Sequence, residues 1–159
     1  MNFSLKLRTV ETKDLDRIAS IEDSSFPDPY PSALFWWLKF RVGDGFIVVL
    51  EEVLGYAISE IRQNKGHTVS MAVSPEHRRE GVGATLLQES LKRLAPRAGE
   101  VYLEVRSTNK AAIRLYERFS FTKTGEIRHG YCPGGEDATL MREPSITRPQ
   151  ANEELQNNS

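Results

Sequence analysis

The order of hydrophobic and polar positions along the chain predicts four helices interspersed among seven strands. Apolar–polar alternation and dense β-branched runs predict strands, whereas apolar residues three and four positions apart predict helices. The predicted strands cover residues 5–9, 45–50, 53–61, 67–73 and 101–105, and two more begin at Phe121 and Ala138. The predicted helices run from a cap at Thr12 to the prolines within 26–31, over 34–41, over 82–94 and over 109–119.

This order of elements implies an α/β domain in which a mixed sheet carries helices on its faces. Residues 67–105 have the pattern of a strand, a crossover helix and a second strand. The two strands should therefore be parallel, with a right-handed connection. A turn is expected at Glu51-Glu52, and the aromatic cluster Phe35-Trp36-Trp37 is expected to belong to the core.

The composition suits one folded domain followed by a tail. The chain has 159 residues, of which 39% are hydrophobic and 27% charged, as is typical of a globular protein. From Glu143 onward, only Ile146 and Leu155 are large aliphatic residues. Such a segment buries too little apolar surface to offset the entropy lost on ordering. We therefore expect a folded domain over residues 1–143 and a disordered tail over 144–159.

The charge and the targeting signals disfavour several function classes. A net charge of −1 argues against dedicated binding to nucleic acid or to an anionic membrane surface. The chain has no apolar run near the roughly 20 residues that span a bilayer, and its N-terminus lacks a signal-peptide pattern. Cys132 is the only cysteine, so a disulfide within the chain is excluded and a reducing compartment is favoured. We expect a cytoplasmic protein.

Two glycines stand where the third predicted helix begins, in the sequence RREGVGATLL. A helix that starts with glycine gives up about 0.5–1 kcal/mol per residue relative to alanine. An anion could offset that cost, because free N–H groups and the positive end of the dipole converge at a helix N-terminus. The alternative is a plain strand-to-helix turn. A nucleotide P-loop would need Gly-Lys-Ser/Thr, and a dinucleotide fingerprint would need a third glycine.

The segment VSPEHRREGVGATLL resembles the acetyl-CoA-binding motif of the GNAT superfamily of N-acetyltransferases, with Arg78-x-x-Gly81-x-Gly83 as its centre. The segment LEVRSTNKAAIRLYERFSF resembles the second signature of that family. KGHTVSMAV, YLEVRSTN and GYCPGGEDATLM are similar to the RimI-like and archaeal protein N-terminal acetyltransferases related to the NatA catalytic subunit. The resemblance covers residues 5–142.

This resemblance implies the GNAT fold, a mixed central sheet flanked by helices on both faces. It also implies transfer of acetyl from acetyl-CoA to the N-terminal amine of acceptor proteins, by direct attack in a ternary complex. The alternatives are a lysine or small-molecule N-acetyltransferase, and a non-catalytic acyl-CoA-binding regulatory domain. The implied partners are acceptor protein N-termini, with the ribosome or nascent chains as further candidates. Neither nucleic acid nor a membrane is an expected partner.

The resemblance also assigns the residues that bind acetyl-CoA. The pyrophosphate is expected on the backbone of residues 79–84, and the pantetheine beside the strand that ends at Val73, whose N–H polarises the thioester oxygen. Asn109 is expected to hydrogen-bond the cosubstrate, and Tyr116 to act near the sulfur as general acid. The full expected set is Met71, Ala72, Val73, Arg78, Arg79, Glu80, Gly81, Val82, Gly83, Ala84, Asn109 and Tyr116.

Two residues are candidates for the acid–base chemistry at the amine. Glu104 interrupts an apolar strand, so it lies either at a cleft or on an outward face of the sheet. The resemblance favours Glu104 as general base, directly or through a water, with His67 acting beside it on the amine. The alternative for His67 is a surface position after Gly66. A zinc ion is not expected, because two ligands do not make a site.

Three residues are expected to line the acceptor site, namely Asp28, Tyr30 and Tyr131. They lie in loops that flank the acceptor N-terminus in the family, and loop packing is the alternative. The archaeal relatives tend to have Pro-Glu-Asn-Tyr where this chain has Pro27-Asp28-Pro29-Tyr30. The shorter acid and the added proline leave open how the first residue of the acceptor is recognised. The oligomeric state is also left open.

Overall fold

In the part of the chain that the structure describes, seven strands and four α-helices follow one another in the predicted order. The computed structural model describes residues 5–49, 53–129 and 135–144. The strands are β1 (Leu7–Thr9), β2 (Phe46–Val49), β3 (Gly55–Arg62), β4 (Lys65–Val73), β5 (Val101–Arg106), β6 (Thr122–Ile127) and β7 (Ala138–Glu143). The helices are α1 (Leu15–Ser25), α2 (Ser32–Val42), α3 (Val82–Leu94) and α4 (Lys110–Arg118).

The chain divides into two compact units. Among the described residues, the first contains 5–49, 53–59 and 69–90, and the second contains 60–68, 91–129 and 135–144. In the first unit, β1, β2 and β3 form an antiparallel ladder, in which Leu7 pairs with Val49 and Ile47 pairs with Ala57. The apolar runs that predict these strands therefore become neighbouring strands of one sheet.

Helices cover both faces of the sheet in the first unit. Successive residues of a strand point to opposite faces. Tyr56 and Ile58 of β3 belong to a core cluster with buried residues of α1 and α2. Ala57, the residue between them, packs instead with Val82 and Leu86 of α3. This arrangement confirms the predicted sheet with helices on both faces.

The second unit contains the parallel pair of strands. Gly66, His67 and Thr68 of β4 pair in parallel with Val101, Tyr102 and Leu103 of β5, as predicted. β5 also pairs antiparallel with β7, and β7 pairs antiparallel with β6. The sheet is therefore mixed, as predicted. Along β5, buried residues alternate with partly buried ones, and Glu104 is one of the partly buried residues.

The start of α1 differs from the prediction. Thr12 does not cap the helix, because residues Thr12–Asp14 form a 3-10 turn and α1 begins at Leu15. A capping box joins Glu11 and Asp14, and the Glu11 N–H donates to the Asp14 carboxylate at 2.8 Å. Asp14 also accepts two hydrogen bonds from Arg8. A cap centred on Glu11 and Asp14, together with the Arg8–Asp14 ion pair, therefore takes the place of a cap at Thr12.

The aromatic residues of α2 divide between core and surface. Phe35 is fully buried and its ring contacts Tyr30, Phe46 and Tyr56. Trp36 and Trp37, however, are 45% and 53% exposed. The prediction that the whole cluster is core is therefore wrong for the two tryptophans. A 3.6-residue repeat buries one stripe of the helix and leaves the adjacent positions at the surface.

Several predictions fall outside the described residues. These are the turn at Glu51-Glu52, the acceptor-site residue Tyr131 and the tail beyond Pro144. Within the part that is described, no helix combines the length and the apolarity needed to cross a membrane.

Candidate active site

The loop before α3 takes a conformation that only a few residue types adopt without strain. Arg79 has a φ of 65° and Gly81 a φ of 81°, both in the left-handed region. A Cβ added at Gly81 would meet nothing within 4 Å, so space remains beside its backbone. The Gly81 carbonyl accepts hydrogen bonds from the N–H and the hydroxyl of Thr85, at 3.0 and 2.9 Å. The loop therefore leads directly into the first turn of α3.

Side chains of this loop make contacts within the first unit. Arg78 Nε donates to the Val73 carbonyl at 3.3 Å, and its Nη2 donates to Ser25 Oγ at 3.2 Å. Glu80 pairs with His77 Nδ1 at 3.1 Å. Open space at Gly81 and a helix N-terminus fit an anion that is bound mainly by backbone N–H groups. The residues present thus suit the pyrophosphate cradle that the sequence suggests.

In the second unit, Glu104 and His67 are in contact. Glu104 Oε2 lies 2.8 Å from His67 Nε2. The two side chains are 24% and 11% exposed, respectively. The His67 ring stacks on Tyr102, its Cα partner in the parallel ladder, with ring centroids 4.6 Å apart. The strand register thus brings together a carboxylate and an imidazole, a pair that can accept and relay a proton.

Glu60 is a neighbour of His67 that the sequence analysis missed. Its Oε1 lies 3.5 Å from His67 Nδ1 and 2.6 Å from Arg62 Nε. The signal was a carboxylate at the end of the apolar run VLGYAISEI, the same kind of signal that singles out Glu104. Despite these carboxylates, the described residues hold no group of three His, Cys, Asp or Glu side chains arranged for a metal ion.

Asn109 directly precedes the first residue of α4, and Tyr116 lies within the helix. Asn109 caps the helix, since its Oδ1 accepts the Ala112 N–H at 3.2 Å. Asn109 Nδ2 can donate a hydrogen bond to a ligand without disturbing this cap. Tyr116 is buried against Phe121, and burial raises the pKa of its phenol to about 12. Tyr116 is therefore a neutral hydrogen-bond donor throughout the physiological range.

The loop between α1 and α2 contains Asp28 and Tyr30. The Tyr30 N–H donates to Glu22 Oε1 at 3.0 Å, and the exposed Tyr30 ring meets Phe35 edge-on at 6.4 Å. Asp28 is partly buried. The backbone and the ring of Tyr30 are therefore both held by the first unit.

Glu22 is a second residue that the sequence analysis missed. It is buried, and the Tyr56 hydroxyl donates to its Oε2. Burial and the neighbouring carboxylate raise the pKa of the Tyr56 phenol well above its usual value. The available signal was its position, because Glu22 follows Leu15 and Ile18 by seven and four residues on the apolar stripe of α1.

Known proteins share both the sequence pattern and the fold of this chain. The acetyltransferase (GNAT) family matches residues 12–121. The N-alpha-acetyltransferase of Sulfolobus acidocaldarius is 40% identical in an alignment 160 positions long, which includes 91% of this chain and 94% of the relative. The [ribosomal protein bS18]-alanine N-acetyltransferase of Escherichia coli is 30% identical in an alignment 148 positions long, which includes 87% of this chain and 96% of the relative. The structure of Ard1 from Thermoplasma volcanium has a TM-score of 0.84 at 25% identity, with 90% and 99% covered.

Proposed function

This chain belongs to the GNAT family of acetyltransferases, and we propose that it transfers acetyl from acetyl-CoA to the N-terminal α-amino group of acceptor proteins. Its similarity to an archaeal N-alpha-acetyltransferase over nearly the full length of both chains supports the acceptor class. The observation that carries the chemistry is the contact between Glu104 and His67 at 2.8 Å. We place the catalytic domain within residues 1–143.

The acid–base demand of the reaction suits this pair. An α-amine has a pKa of about 7.7–8.0, whereas a lysine amine has a pKa of about 10.4. A carboxylate supported by an imidazole is sufficient to deprotonate the α-amine near neutral pH. We assign to Glu104 the acceptance of the amine proton, directly or through a water, and to His67 Nε2 its onward relay. The neutral amine nitrogen then forms the new amide bond as the carbon–sulfur bond of the thioester breaks, and the proton that the nitrogen loses after attack neutralises the departing thiolate.

The remaining assigned residues bind and polarise the cosubstrate. Backbone N–H groups of residues 79–84 and the Arg78 side chain serve the pyrophosphate, while residues 71–73 serve the pantetheine. The Val73 N–H donates to the thioester oxygen, where negative charge develops during attack. Asn109 adds a hydrogen bond to the cosubstrate from its amide nitrogen. These roles leave acid–base chemistry to Glu104 and His67.

Tyr116 serves the leaving thiolate as a hydrogen-bond donor. A thiol has a pKa of about 8.5, and the buried Tyr116 phenol has a pKa of about 12. Full proton transfer from Tyr116 to the thiolate would therefore be unfavourable, because the pKa of the phenol is well above that of the thiol. A hydrogen bond to the thiolate has no such cost. The contribution of Tyr116 to the rate is correspondingly modest.

The pH profile tests this assignment of Tyr116. We expect kcat/KM for a peptide with a free N-terminus to rise from pH 6 to about pH 8, because the fraction of neutral amine rises over that interval. Above it, the profile stays flat to pH 10, since Tyr116 remains protonated below its pKa of about 12. Tyr116→Phe should give the same shape at roughly a tenth of the height, as expected for one lost hydrogen bond. An alkaline decrease below pH 10 that Tyr116→Phe abolishes would contradict the assignment.

A peptide with two kinds of amine tests the acceptor class. We expect a peptide with a free N-terminus and an internal lysine to be acetylated at the α-amine at least about tenfold faster than at the lysine, whose amine is mostly protonated at neutral pH. Fragment mass spectrometry of early time points locates the acetyl group. A second peptide with a blocked N-terminus measures the lysine rate alone. Equal rates at the two amines would favour a lysine acetyltransferase instead.

The acceptor loops supply the reason for end-on binding. Asp28, Tyr30 and Tyr131 are the residues we assign to the acceptor's first positions, and Pro29 stiffens the first of these loops. Asp28 reaches about one methylene less far than a glutamate, so we assign it the choice among first residues. The Escherichia coli relative is named for acetylation of an alanine of ribosomal protein bS18. Ribosomal proteins and nascent chains are therefore candidate acceptors for this enzyme as well.

A further inference from the structure

Glu22 places a carboxylate in the core of the first unit. Glu22 is 2% exposed and belongs to α1, where Ile18 and Ile21 are also buried. A buried carboxylate costs several kcal/mol in lost hydration unless hydrogen bonds compensate it. An apolar side chain at this stripe position would satisfy the packing of α1 alone. The carboxylate therefore serves something other than packing.

The two oxygens of Glu22 hold two different elements. Oε1 accepts the backbone N–H of Tyr30 at 3.0 Å, eight residues further along the chain. Oε2 accepts the hydroxyl of Tyr56 on β3, which also lies 3.2 Å from Ser70 Oγ on β4. One carboxylate thereby links the loop between α1 and α2 to two strands of the sheet.

The aromatic contacts fix the same loop from a second side. Phe35 meets Tyr56 edge-on at 5.8 Å and Tyr30 edge-on at 6.4 Å. Phe35 and Tyr56 are fully buried, whereas Tyr30 is 37% exposed. The exposed Tyr30 ring thus packs on the buried Phe35, which in turn contacts the buried Tyr56.

We propose that Glu22 is a positioning residue, which fixes the loop of residues 26–31 in the conformation that recognises the acceptor N-terminus. The proposal rests on the proposed function, because it takes Asp28 and Tyr30 as acceptor-binding residues. Without the carboxylate, the loop samples other conformations before it binds. Binding of the acceptor then includes the cost of ordering the loop, whereas chemistry after binding is unaffected.

Three variants separate this role from a contribution to folding alone. Glu22→Met keeps the length of the side chain and removes both acceptor oxygens. Glu22→Gln keeps an acceptor for the Tyr30 N–H and offers a donor to the Tyr56 oxygen. Asp14→Asn is the matched control, since Asp14 is another buried carboxylate that accepts a backbone N–H and a side-chain donor. All three remove one buried charge.

We expect Glu22→Met to raise KM for the acceptor peptide roughly tenfold, because the loop loses the hydrogen bond between the Tyr30 N–H and a charged group. KM for acetyl-CoA and kcat should stay within about twofold of the wild type, because the loop acts before chemistry. Hydrogen exchange at the Tyr30 amide should accelerate by a similar factor. Glu22→Gln should restore both quantities, and Asp14→Asn should change neither.

An unchanged acceptor KM in Glu22→Met, or an unchanged exchange rate at Tyr30, overturns the proposal. So does an equal rise of both KM values, which would indicate general destabilisation. If Glu22→Met does not fold, Tyr56→Phe removes one hydrogen bond to Glu22 at constant shape and should raise the acceptor KM about threefold, within the range for one neutral hydrogen bond. No rise would again overturn the proposal. Failure of the wild type to acetylate any N-terminus would instead overturn the proposed function, since amide exchange is measured without turnover.

Discussion

Glu104→Gln lowers kcat for acetylation of an N-terminal peptide by about 100-fold or more, the usual cost of losing a general base. Glutamine keeps the shape of the side chain and a hydrogen bond to His67, but it cannot accept the proton of the amine. The affinity for acetyl-CoA should stay within about twofold, because the pyrophosphate cradle is a separate set of backbone groups. Steady-state kinetics gives kcat, and titration calorimetry gives the affinity.

Glu100→Gln is the matched control for this variant. Glu100 precedes β5 and is also partly buried, but it pairs with Lys65 at 3.0 Å and Arg142 at 3.1 Å and does not contact His67 in any described bond. Its kcat should stay near that of the wild type. Equal losses in the two variants would point to stability or net charge in place of base catalysis. A wild type that binds acetyl-CoA but acetylates no peptide would favour the non-catalytic regulatory domain.

The elements with strong periodicity are the ones that the sequence analysis locates best. The predicted helix over residues 82–94 coincides with α3, and within the described ranges the strands and α-helices follow in the predicted order. Both results depend on apolar spacing, which is a local property of the chain. The prediction for the start of α1 is wrong because Asp14 forms an ion pair with Arg8, which lies in a different element. The prediction that the tryptophans of α2 are buried is wrong because hydrophobicity alone does not determine which side of a helix faces the core.

The residues of the candidate site likewise divide into those that a local sequence pattern locates and those that it does not. Motif residues such as Gly81 and Glu104 were located from short sequence patterns, because such patterns state residue type and spacing. Glu22 was missed because Tyr30 and Tyr56 lie outside α1, and Glu60 was missed because His67 lies on the next strand. The hydroxyl of Tyr56 is 34 residues from Glu22 along the chain, and no local pattern connects them. Polar contacts inside a core are set by register and packing, so they become visible only in the folded chain.

Gly83→Asp should lower the affinity for acetyl-CoA by at least about 100-fold. Gly83 lies in the first turn of α3, so the new carboxylate stands where the pyrophosphate is expected to bind. Two unit charges about 4 Å apart repel by about 4 kcal/mol at the effective dielectric constant of a protein surface, which exceeds a 100-fold loss.

The fold itself should tolerate this change, because an acidic residue in the first turn of a helix stabilises it by roughly 0.3–1 kcal/mol. We therefore expect the thermal midpoint of the ligand-free protein to be unchanged or slightly raised while binding is lost. Gly83→Ala adds the Cβ without the charge and should bind more tightly than Gly83→Asp. Gly99→Asp adds the same side chain at a glycine with open space around it and should bind as the wild type does. Calorimetric affinity within threefold of the wild type in Gly83→Asp would show that the pyrophosphate does not lie at the N-terminus of α3.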